Sequence, residues 1–200
     1  MDTRGMLTDE RVELVELLRS LTDEEWEAPS LCAGWRVRDV VGHMLTDAVP
    51  LGSYVAIALR SGTVDRTNNA LVRKSRSLST AQLVDKLETM DGWFTKYLPR
   101  VALSDTFVHQ QDIRRPLGKP RKEIPAERMR AVLDLPDPFA FPFRLMRGLR
   151  WEATDLDWAK GSGPVVRGPG EALALAMVGR TGALDDLDGD GVPTLRQRCP

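Results

Sequence analysis

Apolar residues return every three or four positions through the first three quarters of this chain. That spacing commits most of it to amphipathic helices packed face to face. Val12, Val15 and Leu18, with Leu14 and Leu17 beside them, form one stripe behind Thr8, which is positioned as an N-cap. Thr22 and Glu25 have capping-box spacing, with Trp26 next to them as an anchor. After the loop Ser30-Leu-Cys-Ala-Gly-Trp35 a second helix is expected from Val37, carrying Val40, Val41, His43, Met44 and Ala48 and bending at Pro50. Polar residues from Ser61 to Asn69 break the pattern. Thr80 then caps a third helix, with Leu83, Leu87, Met90 and Phe94 on one side, ending before Pro99. A fourth runs from about Ser104 to Arg115 and stops at Pro116-Leu-Gly118. Four such helices predict a mainly α fold, an antiparallel four-helix bundle of the kind that holds metals between facing helices.

The texture changes near Leu149. Leu149-Arg-Trp-Glu-Ala-Thr154 alternates like a strand, Pro164-Val-Val-Arg167 has the makings of another, and Lys160-Gly-Ser-Gly163 between them reads as a turn. Pro169 heads a helix through Leu173 and Met177 that ends at Gly179. The expected division is therefore a bundle over residues 1–147 and a small α/β appendage over residues 148–200.

Composition narrows the function classes. A net charge of −1 gives no electrostatic reason for a nucleic-acid or anionic-membrane partner, so a small-molecule substrate is expected. Two cysteines, Cys32 and Cys199, are too few for a disulfide scaffold. The longest apolar run, Ala48 to Leu59, is short for a membrane span and contains Pro50, Gly52 and Ser53. No signal peptide is evident, which makes a cytoplasmic location the expectation. The oligomeric state is left between monomer and homodimer.

Both histidines of the chain fall on expected core-facing helix positions. His43 lies in Trp35-Arg-Val-Arg-Asp39-Val-Val-Gly-His43, and His109 in Asp105-Thr-Phe-Val-His109-Gln-Gln-Asp112. A spacing of four puts Asp105 and His109 on one helical face, Cβ atoms about 5–6 Å apart. Such a pair alone is commonly a surface contact, and a lone histidine on an apolar face is commonly a hydrogen-bonded core residue. Placement of both histidines toward one bundle core favours a two-histidine, one-carboxylate site with an open position.

These segments resemble the DinB-like superfamily and, within it, the mycothiol-dependent maleylpyruvate isomerase family. The likeness runs through Cys32-Ala-Gly-Trp35-Arg-Val-Arg-Asp39-Val-Val-Gly-His43 and Asp105-Thr-Phe-Val-His109-Gln-Gln-Asp112-Ile-Arg114-Arg-Pro-Leu-Gly118. It continues through Gly148-Leu-Arg-Trp-Glu-Ala-Thr-Asp155 with Asp157-Trp158, Gly168-Pro-Gly-Glu-Ala-Leu with Gly179-Arg180, and Leu187-Asp-Gly-Asp-Gly191. The resemblance implies a four-helix bundle binding a divalent metal, with His43, Asp105 and His109 as ligands. Zinc is the first expectation and nickel or iron the alternatives. The family's isomerase carries Glu where this chain has Asp105, one methylene shorter. The resemblance also implies mycothiol, the small thiol of actinobacteria, as cosubstrate of a transferase or isomerase. Two other readings stay open: a hydrolase with a metal-activated water, and a non-catalytic metal-stabilised binding protein.

Neighbouring residues carry weaker expectations. Asp47, four after His43, reads first as an exposed helical carboxylate and second as a brace for an imidazole. Asp112 and Arg114 suit helix-end salt links, with pocket lining as the alternative. Cys32 reads as a buried small hydrophobe rather than a ligand or nucleophile. Trp35, Trp93, Trp151 and Trp158 read as packing residues. Arg180 serves a helix C-terminus or an anionic substrate equally well. Asp186-Leu-Asp-Gly-Asp-Gly191 lacks the downstream Glu of a calcium loop.

Overall fold

A computed structural model describes residues 2–199. Its contacts divide into two compact units, one over Asp2–Pro120 and one from Arg121 onward. That division falls earlier than the change of sequence texture near Leu149.

In the first unit the long helix α1 (Thr3–Arg19) is capped by the Asp2 side chain, which accepts from Gly5 N. Thr8, the expected cap, lies inside α1, where its hydroxyl donates to the Arg4 carbonyl. Asp2 preempts it because a carboxylate ahead of the first turn satisfies a backbone N–H that no intrahelical carbonyl can reach. The short α2 (Asp23–Glu27) has the expected capping box of Thr22 and Glu25. Helix α3 (Val37–Met44) follows the Ser30–Trp35 loop and passes through a 3-10 turn, Leu45–Ala48. Pro50 separates rather than bends: a new helix, α4 (Leu51–Ser61), begins after it.

The polar stretch that looked like a break contains α5 (Val64–Ser75), capped by the Thr63 hydroxyl. Its buried residues Thr67, Leu71, Val72 and Ser75 still keep the helical spacing, but on a narrow stripe in a polar background. Helix α6 (Thr80–Glu88) is capped by Ser79, one residue before the expected cap Thr80, with Gln82 completing the box. The expected third helix stops there, and α7 (Trp93–Tyr97) is a separate turn. Helix α8 (Pro99–Arg114) starts five residues before the expected Ser104, because Pro99 occupies the first turn, where its missing N–H costs nothing.

The core of this unit is the packing of α1, α3, α6 and α8, with α5 against the outer side of α3. Leu14, Leu18, Val37, Val40, Val41, Leu83, Leu87 and Ile113 are essentially inaccessible. Helix α8 runs through the middle. Every residue from Val101 to Ile113 is buried except Asp105, which is half-buried. Its polar side chains are therefore committed to partners, as Gln110 is when Nε2 donates to the Glu10 carbonyl.

In the second unit α9 (Ala126–Asp134) packs against α11 (Gly170–Met177), while α10 (Pro142–Met146) meets α12 (Val192–Arg198). A three-stranded sheet has the order β2–β1–β3, with β1 (Arg150–Ala153), β2 (Ala159–Gly161) and β3 (Val165–Gly168). Strand β1 is antiparallel to β2, with Trp151 opposite Lys160, and parallel to β3, with Trp151 opposite Val166. Trp151 is 1% exposed and anchors this core. The segment read as a turn at Lys160 thus includes β2, whose three residues are all exposed and carry no alternating signature.

Among the described residues no helix is long and apolar enough to cross a membrane.

Candidate metal centre

Helices α3 and α8 bring the expected residues together. His43 extends from the last turn of α3, and Asp105 and His109 from successive turns of α8. The donor atoms of His43, Asp105 and His109 all lie within 4.8 Å of one another. Asp105 Oδ1 is 3.4 Å from His109 Nε2 and 4.0 Å from His43 Nε2. Ligands around a tetrahedral zinc at about 2.0–2.2 Å stand roughly 3.3–3.6 Å apart, so the two Asp105 distances lie close to what such an ion requires. The imidazoles meet edge to face, centroids 4.9 Å apart. Asp105 and His43 side chains retain 18% and 14% exposure against 8% for His109, so solvent reaches the cluster from the Asp105–His43 side.

Burial alone would push the Asp105 carboxyl up, but the charge and hydrogen bond of His109, with the charge of His43, hold it below the usual carboxylate range. Burial likewise pushes His109 down; Asp105, together with hydrogen bonding to Asp112 and Cys32, carries it well above the usual imidazole value. Two imidazoles facing one carboxylate in a buried pocket are an assembly that a divalent cation would complete.

The loop before α3 touches both histidines. Trp35 tilts against His43 with ring centroids 5.1 Å apart, and its indole N–H donates to Asn69 Oδ1 at 3.0 Å. Cys32, three residues earlier, is buried, and its thiol lies 3.0 Å from Asp112 Oδ2. Asp112 Oδ2 in turn is 2.9 Å from His109 Nδ1. Ser30 closes the loop: its hydroxyl donates to the Trp35 carbonyl and accepts from Cys32 N. Gly34 has φ +77°, a left-handed conformation that costs a β-carbon-bearing residue more than glycine. The Leu31 amide pins the loop to α8 through the Asp112 carbonyl.

Two carboxylates depart from expectation. Asp47 is neither exposed nor near an imidazole. It is 4% exposed, accepts from the amides of Phe94 and Thr95 and from the Thr95 hydroxyl, and lies 3.7 Å from the Arg11 guanidinium. It thereby caps α7 from outside that helix. Asp112, read first as a helix-end salt link, is wholly buried behind His109. The signal for it was present in the sequence, since His109 and Asp112 are three apart and share a helical face.

The mainly helical architecture with its small three-stranded sheet fits a DinB-like fold. Residues 7–92 match the family model described as the mycothiol maleylpyruvate isomerase N-terminal domain. The matched segment contains His43; Asp105 and His109 lie beyond it. The crystal structure of the mycothiol-dependent maleylpyruvate isomerase superposes with a TM-score of 0.62 at 12% identity, covering 94% of this chain and 91% of that one. A histidine-to-alanine variant of the isomerase gives a TM-score of 0.60 at 11% identity with the same coverage. At such identities the likeness shows the fold. No curated protein matches the chain in sequence.

Proposed function

We propose that the protein is a metal-dependent enzyme using mycothiol as thiol cosubstrate, acting on a small electrophile as an isomerase or S-transferase. The observation that carries this reading is the convergence of His43, Asp105 and His109 within 4.8 Å on a fold shared with the isomerase. A divalent cation held there, zinc first and nickel or iron as alternatives, supplies a Lewis acid that lowers the pKa of a thiol at the open position.

The protein's own residues set the conditions. Two neutral imidazoles and one carboxylate leave a divalent cation with net positive charge, which favours an anionic sulfur. His109 and Asp105 are locked by the burial of α8 around them, so the donor geometry is fixed before ligands arrive. The Trp35 ring packs against one side of His43. The more exposed Asp105–His43 side faces the space where thiol and electrophile meet.

The test uses purified, metal-analysed protein with mycothiol and maleylpyruvate, followed by a panel of electrophiles with thiol consumption as readout. Turnover that requires both metal and mycothiol supports the proposal. Turnover without thiol assigns a hydrolase instead, and no thiol-dependent turnover across the panel rejects it. His109→Ala is expected to abolish stoichiometric metal in elemental analysis; a variant that retains metal refutes the donor assignment.

A further inference from the structure

We infer that Asp112 and Cys32 are positioning residues that fix His109 as the Nδ1–H tautomer, so that only Nε2 faces the donor cluster. The inference rests on the reading of His43, Asp105 and His109 as metal ligands, and it deepens that reading.

The geometry is directional. His109 Nε2 points toward Asp105 Oδ1 at 3.4 Å, while Nδ1, on the other edge of the ring, meets Asp112 Oδ2 at 2.9 Å. A carboxylate only accepts, so this contact requires the proton on Nδ1 and leaves the Nε2 lone pair for a cation. Asp112 has no exposed surface, so its oxygens depend on donors from the protein. The Cys32 thiol, 3.0 Å from the same Oδ2 and 3.8 Å from Nδ1, supplies a second donor to that oxygen. Oδ2 thus takes one hydrogen from each side, and the thiol blocks the carboxylate from swinging off the imidazole.

The sequence places these groups economically. Asp105, His109 and Asp112 are spaced four and three apart on α8, so the first-contact carboxylate, the imidazole and its rear acceptor share one face. Cys32 comes from the loop pinned to α8 by Leu31 N on the Asp112 carbonyl. The closed loop that sets Trp35 on His43 therefore also seats the thiol behind His109. Hydrogen bonds of this kind orient a ligating ring and raise its basicity, and their loss typically weakens metal affinity by about 10–100-fold.

The experiment compares wild type with Asp112→Asn, Cys32→Val and Cys32→Ser by two readouts. Chelator competition gives zinc affinity, and two-bond ¹⁵N–¹H spectra of imidazole-labelled protein give the His109 tautomer. Asp112→Asn is expected to weaken zinc binding by about 10–100-fold while keeping one site per chain, and to weaken or abolish the Nδ1–H signature. Cys32→Val is expected to lose about 3–10-fold, the range of one neutral hydrogen bond, and Cys32→Ser to retain near-wild-type affinity because its hydroxyl still donates. A structural role alone would shift stability without moving the tautomer. An Nε2–H signature in wild type, or unchanged affinity and tautomer in Asp112→Asn, overturns the proposal while leaving the metal reading intact. If wild type binds no divalent ion, the metal reading fails. The tautomer in metal-free protein, at a pH where His109 is neutral, then decides the positioning role by itself.

Discussion

Helix α3 carries His43, and the residue before it, Gly42, is where α5 comes closest. A β-carbon built on Gly42 would lie 2.0 Å from Ser75 Oγ and 3.0 Å from Ser75 Cβ, the first more than an ångström inside ordinary contact. Ser75 cannot simply turn away, because it is buried and its hydroxyl donates to the Val72 carbonyl at 2.8 Å. Gly42→Ala therefore meets three opposing effects. Alanine's helix propensity favours the variant by about 1 kcal/mol. Overpacking costs about 1–3 kcal/mol, and displacing the Ser75 hydroxyl about 1 kcal/mol more. The net expectation is a destabilisation of about 1–3 kcal/mol, a fall in Tm of about 4–8 °C for the middle of that range. Urea unfolding of chelator-treated protein measures it without the contribution of bound metal. Ser75→Ala removes the closest atom, so Gly42→Ala in that background should lose at least about 1 kcal/mol less than in wild type. Equal losses in the two backgrounds, or a Gly42→Ala protein as stable as wild type, would refute the close-approach argument.

Two other carboxylates allow sharper tests than the metal ligands. Asp39 is 1% exposed and accepts from Arg36 N, Arg36 Nε and Arg76 Nε. Burial pushes its carboxyl up, but the hydrogen bonds from Arg76 and Arg36 outweigh that and hold it below the usual value. A folded pKa below the unfolded value of about 3.9 means the stabilisation is present above that pH and lost as pH falls through the folded value. Asp39→Asn should therefore lower stability by about 1–2 kcal/mol at pH 7, the low side of the range because both arginines are partly exposed. Its gap to wild type should close in acid, and urea midpoints at pH 7 and pH 3 showing a constant gap would contradict this. Asp47→Ala should cost about 2 kcal/mol and speed hydrogen exchange at the Phe94 and Thr95 amides, which it caps. Unchanged exchange at those two amides would show that α7 does not depend on Asp47.

The main features legible in the sequence were those with strong local periodicity or a local chemical mark. The stripe of α1, the capping box at Thr22 and the strand at Trp151 announce themselves over a few residues, although Val12, read as part of that stripe, is 53% exposed and the buried face runs through Leu14, Val15, Leu17 and Leu18. Helix α5 did not, because its buried face is four residues in a polar run, and its place is set by packing on α3. Strand β2 was hidden for a similar reason: its side chains are all exposed, so only pairing with β1 defines it. At the site, His43, Asp105 and His109 were readable from spacing and resemblance, and the structure brings their donor atoms together. The partners of Asp47 were not readable, since Phe94 and Thr95 are 47 and 48 residues away. Cys32 was read as a small apolar filler; its burial agrees, but its contact with Asp112 spans 80 residues.

Helix α8 gathers Asp105, His109 and Asp112 onto one rod that is enclosed on nearly every side. An α-helix advances about 100° per residue, so adding or deleting a single residue between these positions would swing the downstream groups a quarter-turn out of line. Point substitutions can be absorbed locally; a change of phase cannot. The centre therefore tolerates no change of length in α8 between residues 105 and 112.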